Sequence, residues 1–151
     1  MAADPHVAYR RLIAQVYEVA GLSRRSSDRD AAAEHTTTAQ WHVLSVLSGG
    51  PATVPQVARR LGQARQSVQR VADELVAHGD VRPVPNPDHA RSSLLEITAT
   101  GTARLERLWD RSRPSRLALL ADADIGADDL DRATTTLAAL AAALRTAASG
   151  R

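Results

Sequence analysis

The sequence predicts a mainly α-helical protein with a small β-hairpin: a winged helix-turn-helix lobe plus a helical region contributed by both chain ends. Three observations carry this reading. Residues 53–79, TVPQVARRLGQARQSVQRVADELVAHG, read as two helices joined at a tight turn. Residues 81–97 then read as two short extended segments around a proline-rich turn. Both flanks carry apolar stripes at helical spacing, more than a small lobe can cover. The implied division is an N-terminal helix and linker over 1–35, the lobe over 36–99 and C-terminal helices over 100–151.

The elements follow in order. Asp4 before Pro5 is a helix start, cap then first-turn proline. Val7, Tyr9, Leu12, Ile13, Val16 and Ala20 mark an amphipathic helix that fades after Gly21, and the polar run 23–36 reads as a linker. Thr37 with Gln40 forms a capping box for a helix whose buried face is Trp41, Leu44 and Leu47, ended by SGGP at 48–51. Thr53 with Gln56 forms a second box, and Val57, Ala58 and Leu61 give that helix its apolar side. Gly62 supplies the left-handed position of the turn. The next helix runs from about Ala64, with a stripe of Val68, Val71, Ala72, Leu75 and Val76.

After Gly79, Pro83 and Pro85 cannot donate to a ladder, so the first extended segment is an edge. Asn86-Pro87-Asp88 is turn chemistry, and Leu95 and Ile97 alternate with Glu96 as in a half-buried strand. Thr98 or Thr100 starts a long helix with Leu105, Leu108 and Trp109, then Leu117, Leu119 and Leu120. Pro114 in its middle predicts a kink or break between Asp110 and Pro114. A last helix over about 128–147 carries Leu130, Leu137, Leu140 and Leu144 on one stripe, padded by alanines.

The second helix of the pair has chemistry on its outer face: Arg65, Gln66, Ser67, Gln69 and Arg70. Such side chains hydrogen-bond phosphates and base edges when a recognition helix enters the major groove. A run of charge is most often just a solvated face. Here, however, Arg59, Arg60, Arg65 and Arg70 occur with no acid between them, and Asp73 and Glu74 arrive only after the first two turns. The positive end is therefore the end a groove would receive. In the hairpin, His89 and Arg91 lie at the tip.

Composition excludes several alternatives. The formal charge is only +2, with a pI near 9.9, and every basic residue is arginine. A coding bias explains that uniformity, although arginine also suits bidentate contact with phosphate and guanine. With no cysteine, disulfides, cysteine-zinc sites and thiol sensing are ruled out. His6, His35, His42, His78 and His89 have no partner at helical spacing and no acidic cluster, so no metal site and no cofactor is expected. No serine sits in a nucleophile elbow and no glycine-rich phosphate loop follows a strand, which argues against an enzyme. Asp122, Asp124, Asp128 and Asp129 read as turn and cap residues. No signal peptide or membrane-spanning run is present, and a cytoplasmic protein with no membrane partner is expected. Aromatic residues make up 3% and phenylalanine is absent, so the core is thin for a monomer and favours burial against a second subunit.

With these pieces in place the chain resembles transcriptional regulators of the multiple-antibiotic-resistance regulator (MarR) family. The matching segments are TTTAQWHVLSVL (36–47), PATVPQVARRL (51–61), the recognition helix, the NPDHAR wing and LEITATG (95–101). The resemblance implies a homodimer that binds palindromic double-stranded operator DNA, commonly a repressor, released by a small aromatic or lipophilic effector. With the reading of the second helix and the wing, DNA contacts are expected from Arg65, Gln66, Ser67, Gln69, Arg70, His89 and Arg91, and the apolar stripes of the flanks place a dimer interface at Leu12, Leu130, Leu137, Leu140 and Leu144. An effector pocket is expected where the first helix and the Trp41 helix meet the lobe, with Tyr17, Trp41 and His42 as lining residues. The chain departs from the family pattern at Gln63 (usually apolar), Ala64 (often a Ser cap), Asp80 (usually Leu) and His89, which replaces the aspartate of the wing's Asp-x-Arg. Either Asp88 orients Arg91 from a shifted turn, or His89 itself contacts phosphate. The competing reading is a winged-helix module that binds only protein.

Overall fold

The computed structural model describes residues 4–150. The helices are α1 (Pro5–Ala33), α2 (Thr38–Leu47), α3 (Val54–Leu61), α4 (Arg65–Ala77), α5 (Ala99–Asp122) and α6 (Ala127–Ser149). Strands β1 (Val81–Val84) and β2 (Leu94–Ile97) form an antiparallel hairpin between α4 and α5. The chain falls into two compact units, one ending at Ser112 and one beginning at Arg113.

In the first unit, the core is aliphatic. Leu44, Leu47, Val57, Val68, Leu75, Leu105 and Leu108 are buried there with Trp41. Both expected capping boxes form: Thr37 accepts from the Gln40 amide and Thr53 from the Gln56 amide, while each glutamine side chain returns to its cap. Gly62 ends α3 at φ 63°, the left-handed turn that sets α3 against α4. Val76, expected in the stripe of α4, is instead 38% exposed. Register pairs Val81 with Ile97 and Pro83 with Leu95. Ala52 bridges the outer side of β2 at Leu95, so the proline-bearing β1 is the edge, as its missing N–H requires.

Two expectations are corrected. Residues 23–33 are not a linker: α1 continues unbroken to Ala33. Ser27 and Ala31, four residues apart, are buried, and Asp28 accepts a hydrogen bond from the Thr38 hydroxyl at the start of α2. Tertiary packing on one face thus overrides a polar composition. Its C-terminus is tied to α5, where Arg107 and Arg111 both reach Glu34. Arg111, against the opposing effect of burial, holds the Glu34 carboxyl below its usual range, with Arg107 assisting. The lowered folded value means this attachment is present at neutral pH and is lost as acid protonates Glu34. The break expected near Pro114 does not occur either, since α5 runs as one helix through it. A proline removes one backbone bond, at about 3 kcal/mol. A break would create two further helix ends, each with unpaired backbone groups.

The lobe is locked to α5 at Thr98. Its hydroxyl donates to the Gly79 carbonyl at 2.6 Å and accepts from the Gly101 amide at 3.1 Å. Asp80 is fully buried there and accepts from Arg104 Nε at 3.1 Å, which supplies the counter-charge a buried carboxylate needs.

The second unit is different. α6 buries no residue at all. At its start, Gly126 is the cap residue and the Asp129 carboxylate accepts from the Gly126 amide at 3.0 Å.

Candidate nucleic-acid interface

α4 begins at Ala64 without a side-chain cap, which leaves its first-turn N–H groups and the positive end of its dipole open to an anion. Its inner stripe faces the core, and the same 3.6-residue period turns Arg65, Gln66, Ser67, Gln69 and Arg70 outward, all exposed. A cleft of about 530 Å³ lies between this helix and the hairpin, with Arg65, Gln69 and Asp73 on one wall and Arg91 and Ser92 on the other. The structure therefore brings Arg65, Gln69 and Arg91 to one groove. Gln66, Ser67 and Arg70 stand outside it on the same helix.

The hairpin tip is held by local bonds. Asn86 accepts from the Asp88 amide at 3.0 Å and donates to the Ser92 carbonyl at 2.9 Å, and the Ser92 amide donates to the His89 carbonyl. Asp88 forms no ion pair with Arg91 among the described residues, so it does not orient that arginine here. His89 lines a separate cleft of about 560 Å³ with Gln56 and Arg59 of α3. Sequence reasoning had not placed Arg59 beside the wing. The signal available was its position in the last turn of the helix that precedes the recognition helix.

Two polar contacts shape the face of α4. Gln69 Nε2 donates to Asp73 Oδ1 at 2.8 Å, and Arg70 Nη1 donates to Glu74 Oε1 at 2.9 Å. Glu74 also accepts from Gln40 of α2 at 3.0 Å, and Gln40 accepts from Thr36. Arg70 is thereby drawn back toward α2. Arg59, Arg60, Arg65 and Arg91, by contrast, enter no ion pair among the described residues. Their charge remains available to a polyanion.

The residues expected around an effector differ in depth. Tyr17 is 76% exposed on α1, Trp41 is part of the core at 3%, and His42 beside it is half-buried. Leu12, Leu130, Leu137 and Leu144 are exposed and Leu140 is half-buried. No group of three or more potential metal ligands occurs among the described residues, and none of the helices is long and apolar enough to cross a membrane.

A tight two-helix turn, an open basic face on its second helix and an arginine-tipped hairpin across a groove define a winged helix-turn-helix protein. A MarR family model matches residues 36–92. An uncharacterized protein of Mycobacterium tuberculosis is 50% identical over 102 residues, which span 68% of this chain and 71% of that protein. Among solved structures, a mutant MarR from E. coli complexed with operator DNA superposes at a TM-score of 0.66 and 22% identity, over 91% of this chain and 99% of that one. CouR from Rhodococcus jostii RHA1, bound to p-coumaroyl-CoA, gives a TM-score of 0.71 at 17% identity, over 84% of this chain and 89% of that one. The chain belongs to the MarR family, whose members are transcription regulators and not enzymes.

Proposed function

We propose that the protein binds palindromic operator DNA as a homodimer, with α4 of each subunit in the major groove and Arg91 of each wing in the adjacent minor groove. The observation that carries this is the convergence of Arg65, Gln69 and Arg91 on one groove, with neither arginine in an ion pair among the described residues. A protein-only docking module has no need of an unpaired basic face at this position. Arg65, Gln66 and Gln69 read bases, and Ser67, Arg70 and His89 contact the backbone. The E. coli MarR structure with operator DNA supports this mode of docking.

The homodimer rests on what the single chain leaves uncovered. Apart from Val76, every large apolar side chain exposed among the described residues lies in α1, α5, α6 or the turn before α6. An isolated helix such as α6, with nothing buried, is marginal in water. A partner subunit covering Leu12, Leu130, Leu137, Leu140 and Leu144 supplies the missing burial. Release by a small aromatic or lipophilic effector follows the example of CouR with p-coumaroyl-CoA. Tyr17 and His42 are proposed to face that effector, with Trp41 behind them, and the protein represses where its operator overlaps a promoter.

A gel shift on the intergenic DNA upstream of the protein's own gene tests the reading. Arg65→Ala or Gln69→Ala is expected to cost about 1–3 kcal/mol and to relax preference at one base pair per half-site. Equal weakening on all sequences would remove that residue from base readout. Arg91→Ala is expected to act differently, because a guanidinium in the minor groove senses width and potential rather than base identity. It should weaken binding to all duplexes and reduce the salt dependence by about one counterion per half-site. An unchanged slope places the wing arginine away from the DNA.

A further inference from the structure

We infer that Asp73 is a positioning residue that sets the base preference of Gln69, selecting adenine over guanine at one position of each half-site. The inference rests on the reading of α4 as the recognition helix and adds to it a named cause of specificity.

A glutamine amide presents a donor on one side and an acceptor on the other, and either can face a base when the amide is free to turn over. In this chain it is not free. Gln69 Nε2 donates to Asp73 Oδ1 at 2.8 Å, one helical turn on, and both residues line the same cleft. A carboxylate only accepts, so the nitrogen must face Asp73 and the amide oxygen must face away. Turning the amide over would set its oxygen against the carboxylate. Neither cation on that cleft diverts the acid, since Arg65 and Arg91 form no ion pair with it.

The consequence for base readout is specific. Gln69 keeps an outward acceptor and one remaining N–H. Adenine offers a matching pair in the major groove, the N6 amine as donor and N7 as acceptor. Guanine offers two acceptors, N7 and O6. Against guanine the fixed amide oxygen would meet O6, and one of two acceptors would lack a donor. As an interface forms and water leaves, that mismatch grows in weight because the local dielectric falls.

The competing role for this contact is that of a surface pair supporting the helix, as glutamine and aspartate four apart often do. The two roles separate experimentally. A duplex enriched by the wild-type full-length chain from a random library, and its symmetric single-base variants, are titrated by fluorescence anisotropy. Wild-type protein is expected to prefer A·T over G·C about tenfold at one position per half-site. Gln69→Ala and Asp73→Ala should each reduce that preference to about twofold or less, and the double variant should reduce it no further. Asp73→Glu, which keeps an acceptor within reach, should restore most of it. Loss of the acid's repulsion raises the affinity of Asp73→Ala for all duplexes alike, so only the ratio between bases reports positioning. An Asp73→Ala protein that retains the tenfold ratio while Gln69→Ala loses it overturns the inference. A Gln69→Ala protein with every preference intact overturns it through the base-reading role of Gln69, and a wild-type chain that enriches no duplex overturns operator binding itself.

Discussion

Leu140→Asp is expected to leave the protein monomeric and unable to retain operator DNA, although residue 140 is on α6, the last helix, and not on the recognition face. Leu137, Leu140 and Leu144 follow one another at three- and four-residue steps and so share a face of that helix. Leu137 and Leu144 are 38% and 49% exposed in the single chain, and Leu140 is only half-buried. Burying such a side chain contributes about 1.5–3 kcal/mol. A two-fold axis makes each substitution count in both subunits, so the lost burial is at most about 3–6 kcal/mol, and the desolvation of two carboxylates adds several kcal/mol more. Since 1.4 kcal/mol is a factor of ten, the dimer weakens by at least about a hundredfold. Operator affinity falls with it, because a monomer engages one half-site only. Sedimentation velocity at micromolar concentration and a gel shift on the same samples check both parts. A monomeric variant that still holds a palindrome tightly would assign the helical flanks to another role.

Gly101→Ala is expected to be a strongly damaging conservative change where the lobe meets α5. An added Cβ would overlap the Asp80 carbonyl oxygen and lie 2.9 Å from the carbonyl carbon and from Ile97 Cγ1. Two of those atoms are backbone and cannot swing aside. The backbone involved is itself pinned, since the Asp80 carbonyl accepts from the Thr98 amide and Thr98 holds both Gly79 and Gly101. Overpacking of this kind costs about 1–3 kcal/mol and occasionally more, and a backbone obstacle places it at the upper end. The better helix propensity of alanine, worth about 1 kcal/mol, offsets part of this. A net loss of about 2 kcal/mol lowers the melting temperature by roughly 4–8 °C for a chain of this size. Gly21→Ala, at a helical site with nothing within 4 Å, should move it upward instead. Thermal unfolding of the two variants side by side checks the contrast in sign. A Gly101→Ala protein as stable as wild type would show that the junction between the wing and α5 can relax.

The parts of this fold visible in the sequence are those written in local chemistry. Thr53 with Gln56, Gly62 at the turn and Asn86-Pro87-Asp88 in the wing each determine a few backbone angles by themselves, and the structure has each where expected. The outward placement of Arg65 and Gln69 followed from helical period alone. What composition concealed depends on distant partners. The run at 23–33 is polar enough to pass for a linker, and only its packing at Ser27 and Ala31 makes it helix. Asp80 looked like an irregularity because Arg104, a distant residue in sequence, supplies its counter-charge. The division of the wing, with Arg91 toward α4 and His89 toward Arg59, depends on how the hairpin lies across two helices, which no spacing in the chain encodes.

The most direct test of a dimeric operator-binding regulator is selection from a random duplex library by the full-length protein, followed by sequencing of the retained DNA. Two recognition helices related by a two-fold axis require an inverted repeat whose half-site centres are about 10 bp apart. Enrichment of such a repeat, abolished by Leu140→Asp and altered at one base pair per half-site by Gln69→Ala, is the predicted result. Enrichment of a single unrepeated site, or of no sequence at all, would contradict it.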